Sequence, residues 1–170
     1  MKEHERKLSG NGDAGKVESR QRVTVLHVDD DPNDTALLQA ASRKAEVNFE
    51  LQNVEDGDQA IAYLNGVAPF SDRVRYRIPA LVLLDLKMPR ATGFEIMRWI
   101  RQHPAFAHLP IIVLSGSEME EDIRNAYAEG ANSYLVKPLG FEALVKMIRS
   151  INGVWVATSR QIVTASGGRK

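Results

Sequence analysis

Four short apolar runs in this chain each stop at a polar residue, and this pattern restricts the fold more than any other feature. Val23-Thr24-Val25-Leu26-His27-Val28 ends at Asp29 and Asp30, and Ala80-Leu81-Val82-Leu83-Leu84 ends at Asp85. Ile111-Ile112-Val113-Leu114 ends at Ser115, and Ser133-Tyr134-Leu135-Val136 ends at Lys137-Pro138. Runs of this length, bounded by turn residues, read as buried strands. In an open parallel sheet the strand C-termini line one edge, and ligands bind there. Three carboxylates, a hydroxyl and an ammonium, distant in sequence, would meet on that edge.

The segments between the runs read as helices. Asp31-Pro32 fits a helix cap followed by proline at the first helical position, and Leu37, Leu38, Ala41 and Ala45 follow at helical spacing. A weaker strand, Phe49 to Val54, precedes Glu55-Asp56-Gly57 and a helix carrying Ala60, Ile61 and Leu64. Thr92 and Glu95 have capping-box spacing and open a helix with Phe94, Met97 and Ile100. Ser117 and Glu120 repeat that spacing before Met119, Ile123, Ala126 and Tyr127, and Phe141, Leu144, Val145, Ile148 and Ile151 mark a last helix. Strands alternating with helices imply an α/β fold with a parallel sheet. Right-handed crossovers leave few topologies. The expectation is a flavodoxin-like, doubly wound sheet of five strands in the order 2-1-3-4-5, with five helices.

Composition bounds the function. The 170 residues are 44% apolar and 26% charged, with 22 basic against 22 acidic side chains. That is ordinary for a globular protein, and the zero formal charge argues against a dedicated nucleic-acid binder. There is no cysteine, which excludes disulfides, thiolate catalysis and cysteine-based zinc sites. No apolar run approaches the ~18 residues of a membrane span. The N-terminus lacks the apolar core of a signal peptide, so a cytoplasmic location is the default expectation. Residues 1–21 and 158–170 read as flexible tails around one domain over 22–157. The connection from Asn65 to Arg77, with Pro69, Phe70, Arg73, Arg75, Tyr76 and Arg77, is long for its type and reads as either functional or mobile.

The polar strand ends suit the transfer of a phosphoryl group onto an aspartate. An isolated aspartate in such a place is usually a turn or cap residue. Crowded carboxylates, however, raise one another's pKa unless a cation joins them, and Mg²⁺ takes carboxylate oxygens and pairs with phosphate. Asp85 can attack phosphorus and form an acyl phosphate. A metal and Lys137 would neutralise charge on the equatorial oxygens, and Ser115 offers a hydrogen bond. No general base is required. His27, inside the first run, reads as a packed or edge-facing residue.

The joint pattern is more specific than its parts. Val28-Asp29-Asp30, Leu84-Asp85-Leu86-Lys87-Met88-Pro89 with Gly93, Ser115-Gly116, Tyr134 and Lys137-Pro138 together resemble the receiver domain of bacterial two-component response regulators. The resemblance covers about Val23 to Ile151. Ser115 lies 30 residues after Asp85 and Lys137 lies 22 after Ser115, intervals similar to those of receivers. The Asp30-to-Asp85 interval of 55 is longer than in minimal receivers because of the Asn65–Arg77 connection.

The resemblance implies roles. Asp85 would be the phosphoacceptor. Asp30, Asp85 and the Lys87 backbone carbonyl would ligate Mg²⁺, with Asp29 acting through water. Lys137 would pair with the phosphoryl group, Ser115 and Tyr134 would be the switch pair, and the Lys137–Pro138 bond would be cis. Gly116 leaves room beside the phosphoryl group, and Lys87 and Ser117 stand where side chains gate the attacking water. The long connection and the end Val154-Trp155-Val156 look like single-domain regulators paired with phytochrome-type or other sensor histidine kinases. Expected partners are such a kinase or a histidine phosphotransfer protein, and a second copy of the chain. Trp155, or the face of the fourth helix, fifth strand and last helix, would be the anchor. No nucleic acid, membrane or enzymatic turnover beyond self-phosphorylation and autodephosphorylation is expected. Two other readings remain open: a haloacid-dehalogenase-type phosphatase using the Asp-x-Asp spacing of Asp29 to Asp31, and a binding module that no longer takes a phosphoryl group.

Overall fold

Buried β-branched and leucine runs form the centre of the molecule. The computed structural model describes residues 22–89 and 92–156; both expected tails lie outside them. Strands β1 (Val23–Val28), β2 (Phe49–Val54), β3 (Leu81–Leu84), β4 (Ile111–Ser115) and β5 (Ser133–Val136) alternate with helices α1 (Pro32–Lys44), α2 (Gly57–Asn65), α3 (Gly93–Gln102), α4 (Glu120–Ala128) and α5 (Phe141–Ile151). All strand pairs are parallel and the order is β2-β1-β3-β4-β5, as expected. A π-helical turn, Asn152–Val156, follows α5.

The pleat sorts side chains into two cores. Successive strand residues point to opposite faces. Leu26, Val28, Val82, Leu84, Ile111 and Val113 therefore pack with α2 and α3 residues such as Leu64, Ile96 and Ile100. Val25, Leu81, Leu83, Ile112 and Leu114 pack with Leu38 and Ala41 of α1 and Val145, Ile148 and Ile151 of α5. Both faces are covered, which is why β1, β3 and β4 read as continuous apolar runs. Trp155 is half-buried against the α1–α5 core, and Val156 is fully buried there, so the aromatic expected as a dimer anchor packs on its own domain.

Caps fall where the side chains require. Asp31 accepts from the Asn33 N–H at 2.8 Å, with Pro32 opening α1. Asp56 accepts from the Gln59 N–H at 2.8 Å at the start of α2. Thr92 and Glu95 form the expected capping box on α3. The start of α4 differs from expectation: Met119 precedes the helix without a side-chain cap. Ser117 turns its hydroxyl onto the Asp122 carboxylate instead. Ala126 is the buried residue of that helix, while Met119 and Tyr127 are 60% and 50% exposed.

The long α2–β3 connection is ordered from within. Tyr63, Phe70 and Tyr76 meet ring to ring at 5.2–5.9 Å. Arg73 donates to the carbonyls of Tyr63 at 2.8 Å and Tyr76 at 3.0 Å, and also to that of Leu64. The Tyr63 hydroxyl donates to the Arg77 carbonyl at 3.0 Å. Three rings and one guanidinium close the loop against α2, a physical role that neither expected reading contained.

Gly93 sits where the chain turns back against the end of β3. A Cβ there would lie 2.4 Å from the Asp85 carbonyl oxygen and 2.9 Å from the Leu86 Cα, whereas a Cβ on Gly116 meets nothing within 4 Å. Gly93→Ala should therefore lower unfolding stability by about 1–3 kcal/mol, the usual effect of forced backbone overpacking. Gly116→Ala should stay within about 0.5 kcal/mol of the parent, like other substitutions into open space. Urea denaturation of the two variants checks the contrast.

Candidate functional site: an acidic cluster around Lys137

The same alternation that builds the cores separates the polar strand ends. Carried one residue past β1, β3 and β5, it puts Asp29, Asp85 and Lys137 in phase with Val25, Leu83 and Leu135, on the α1–α5 side. Ser115 and Tyr134 are in phase with Val113 on the other side. Charged groups and hydroxyl groups thus approach one point from opposite faces of the sheet.

Backbone bonds fix the strand ends. The Asp29 N–H donates to the Val54 carbonyl at 3.1 Å, and the Asp85 N–H donates to the Val28 carbonyl at 3.0 Å. The Lys137 N–H donates to the Ser115 carbonyl at 2.8 Å. The Lys137 ammonium then donates to Asp29 Oδ2 and to Asp34 Oδ2, both at 2.7 Å, and lies 3.4 Å from Asp85 Oδ2. The Asp29 carboxylate is fully enclosed. Its Oδ1 accepts the Asp31 N–H at 2.9 Å, and its Oδ2 lies 3.4 Å from His27 Nε2. Asp85 Oδ1 accepts a long bond of 3.4 Å from the Lys87 N–H.

Asp29, Asp30 and Asp85 each bring a carboxylate oxygen to a common point, all within 4.8 Å of one another. Octahedral Mg²⁺, with bonds of about 2.1 Å, spaces opposite oxygens by about 4.2 Å. A small contraction of the trio therefore fits such an ion. Both Asp29 oxygens already hold partners. This suits Asp29 as a ligand through water, with Asp30 and Asp85 binding directly.

On the other face, Ser115 is fully buried and its Oγ accepts the Ser117 N–H at 3.4 Å. The Tyr134 hydroxyl donates to the Ser117 carbonyl at 2.8 Å. Burial pushes the Tyr134 phenol up from its ordinary value. Asp122, bonded to Ser117, lies 3.8 Å from Lys87 Nζ, so a polar chain joins the loop after β3 to α4.

Every expected side chain of the site is at this edge, with three corrections and additions. The Lys137–Pro138 bond, expected cis, is not cis; the cis bond among the described residues is Ala68–Pro69. An X–Pro amide prefers trans by about 0.5–1 kcal/mol unless its surroundings hold it otherwise, and Lys137 reaches its carboxylates without the cis form. Asp34 and Asp122 were not anticipated. Each lies in the first turn of a helix, where an acidic residue already has a local reason to be. His27 is buried beside Asp29, its Nδ1 without a hydrogen-bond partner.

The chain belongs to the response regulator receiver domain family, whose model matches residues 25–149. It is 32% identical over 141 residues to the response regulator Rcp1 of Synechocystis, covering 83% of this chain and 94% of that protein. Among solved structures it is similar to response regulator RPA3017 in red light signalling of R. palustris, at 40% identity and a TM-score of 0.75, covering 78% of this chain and 93% of that one. It is also similar to the phosphorylated cyanobacterial phytochrome response regulator RcpA, at 30% identity and a TM-score of 0.73, covering 81% and 96%. No helix among the described residues is long and apolar enough to cross a membrane.

Burial alone would depress the Lys137 ammonium; bonds to Asp29 and Asp34 and the charge of Asp85 overcome this and hold it above the usual lysine range. Burial alone would raise Asp29, but bonds from His27, Lys137 and Asp31 lower its carboxyl to about 2. Asp85 goes the other way: burial raises it, Lys137 opposes this and Asp29 adds to it. The stability that Asp29 contributes is therefore full above the ordinary carboxylate range and is lost as the pH falls toward 2. Charged Asp85 opposes folding at neutral pH, and that opposition vanishes as acid protonates it. Without metal, Asp85→Asn should resist urea better than the parent at pH 7, with the gap closing below pH ~4. Mg²⁺ at ten times its dissociation constant should add about 1.4 kcal/mol to the parent and far less to the variant.

Proposed function

We propose that this protein is a response regulator whose receiver domain accepts a phosphoryl group on Asp85 from the phosphohistidine of a sensor histidine kinase or a histidine phosphotransfer protein. The observation that carries the reading is the Lys137 ammonium lying 3.4 Å from Asp85 Oδ2 beside the Asp29–Asp30–Asp85 trio. A half-buried cation and a carboxylate cluster able to hold a divalent metal around one carboxylate supply what an incoming phosphoryl group needs.

In the proposed step an Asp85 oxygen attacks phosphorus in line. The new P–O bond forms as the donor's P–N bond breaks, and the imidazole leaves with the bonding pair. Bound Mg²⁺ would neutralise charge on the phosphoryl oxygens. Lys137 meets one phosphoryl oxygen through its ammonium, and Ser115 donates its hydroxyl proton to another. Drawing Ser115 inward disturbs its bond from Ser117 and, through the Ser117 carbonyl, the Tyr134 hydroxyl. The change thereby reaches the face of α4, β5 and α5, where Met119, Tyr127, Leu139 and Phe141 are exposed. A second copy or a target protein would read that face as one of two states. The light-signalling relatives favour a phytochrome-type kinase.

The phosphatase reading has less support, because its Asp-x-Asp pair would need Asp31 in the cluster. Asp31 is exposed and caps α1. The inert binding-module reading leaves the full set of acidic and basic side chains without a task.

Incubation with acetyl phosphate and Mg²⁺ should add one labile phosphoryl group by intact mass. Asp85→Asn, or chelation of the metal, should abolish it. Absence of an adduct with both acetyl phosphate and phosphoramidate would contradict the proposal, and steady turnover of a phosphate ester by Asp85→Asn would favour the phosphatase.

A further inference from the structure

Lys137 touches three carboxylates, and one of them stands outside the acidic trio. An ammonium has three donors. Two are taken by Asp29 Oδ2 and Asp34 Oδ2, both at 2.7 Å, and the longest contact, 3.4 Å, is left for Asp85. The Asp34 side chain is 37% exposed and is not one of the carboxylates that converge with Asp29, Asp30 and Asp85. Its place is fixed by the capped first turn of α1. A cavity of about 50 Å³ is lined by His27, Asp29, Asp34, Leu114, Lys137 and Pro138, and Asp85 does not line it. Asp34 therefore holds the ammonium against α1, beside free space, in the resting protein.

We propose that Asp34 is a positioning residue that restrains Lys137, so that phosphorylation of Asp85 requires the ammonium to exchange its Asp34 contact for a phosphoryl oxygen. The inference rests on the reading of Asp85 as phosphoacceptor. A contact made in the resting state and given up on the way to the transition state slows the reaction. Neutralising Asp34 without changing its shape removes the compensating charge and leaves the donor only a weaker, neutral carbonyl acceptor. The gain must pass through Lys137, since Asp34 touches no part of the reacting group.

The test is the rate of phosphorylation by acetyl phosphate, at saturating Mg²⁺, in the parent, Asp34→Asn, Lys137→Gln and the double variant. Asp34→Asn should phosphorylate about three- to tenfold faster than the parent, the range of an ordinary net hydrogen bond, since the exposure of Asp34 screens its charge. The same substitution in the Lys137→Gln background should change the rate by less than about twofold, because coupling disappears with the partner. Unfolding cannot mimic a faster rate. An equal gain in both backgrounds would show simple relief of repulsion toward the anionic donor and overturn the restraint, as would no gain in Asp34→Asn. A second readout needs neither donor nor metal. The Lys137 ammonium proton–nitrogen signal should be protected in the parent and broadened by exchange in Asp34→Asn; an unchanged signal overturns the inference. No adduct on the parent overturns the phosphoacceptor reading itself, whereas an adduct without the Asp34→Asn gain overturns only the restraint.

Discussion

The Lys137 ammonium is the interaction on which this site depends. Two enclosed carboxylates, Asp29 and Asp85, stand at neighbouring strand ends, and like charges so placed cannot both stay ionised without a cation. The lysine arrives from the end of the edge strand β5, its N–H tied to β4 and its side chain reaching β1, β3 and α1. Removing one partner of a buried pair leaves an uncompensated charge, so the lysine and the aspartates act as one unit. The opposite displacements of Asp29 and Asp85 follow from that sharing: Asp29 holds the nearer contact and stays ionised, while Asp85 is buried and less well paired.

The sheet gives this chemistry its direction. Strand alternation sends the charged groups to the α1–α5 side and the Ser115–Tyr134 pair to the opposite side. The carboxylate proposed to take a phosphoryl group is thus separate from the hydroxyls that would sense it. Gly93, pressed against the Asp85 carbonyl, sets how closely α3 approaches the end of β3. The Lys87–Asp122–Ser117 chain ties the mouth of the site to α4, so events at Asp85 meet α4 as well as β5.

The strands were legible because parallel strands buried on both faces leave an apolar run that polar residues end abruptly. The spans of β1, β2 and β5 coincide with those read from the sequence, and the topology follows from the alternation with helices. Asp29, Asp30, Asp85, Ser115 and Lys137 were legible because each lies at such an end, whereas Tyr134, inside β5, stood out only through the family resemblance. The start of α4 was not, because Ser117 serves a tertiary partner, Asp122, in place of its local cap. The α2–β3 connection was unreadable for a similar reason: Arg73 and three aromatic rings close it through contacts that no local pattern announces. Asp34 stayed hidden because its partner lies 103 residues away, and an acidic side chain in a first helical turn has a sufficient local explanation.

The central claim is that one side chain, Asp85, becomes an acyl phosphate. Borohydride reduces an aspartyl phosphate to homoserine and leaves free carboxylates and phosphate esters untouched. Reduction after exposure to acetyl phosphate and Mg²⁺, followed by tandem mass spectrometry, should place homoserine at position 85 and at no other aspartate. Homoserine at Asp29 or Asp30, or phosphate retained on Ser115 or on a histidine with position 85 unchanged, would contradict the account.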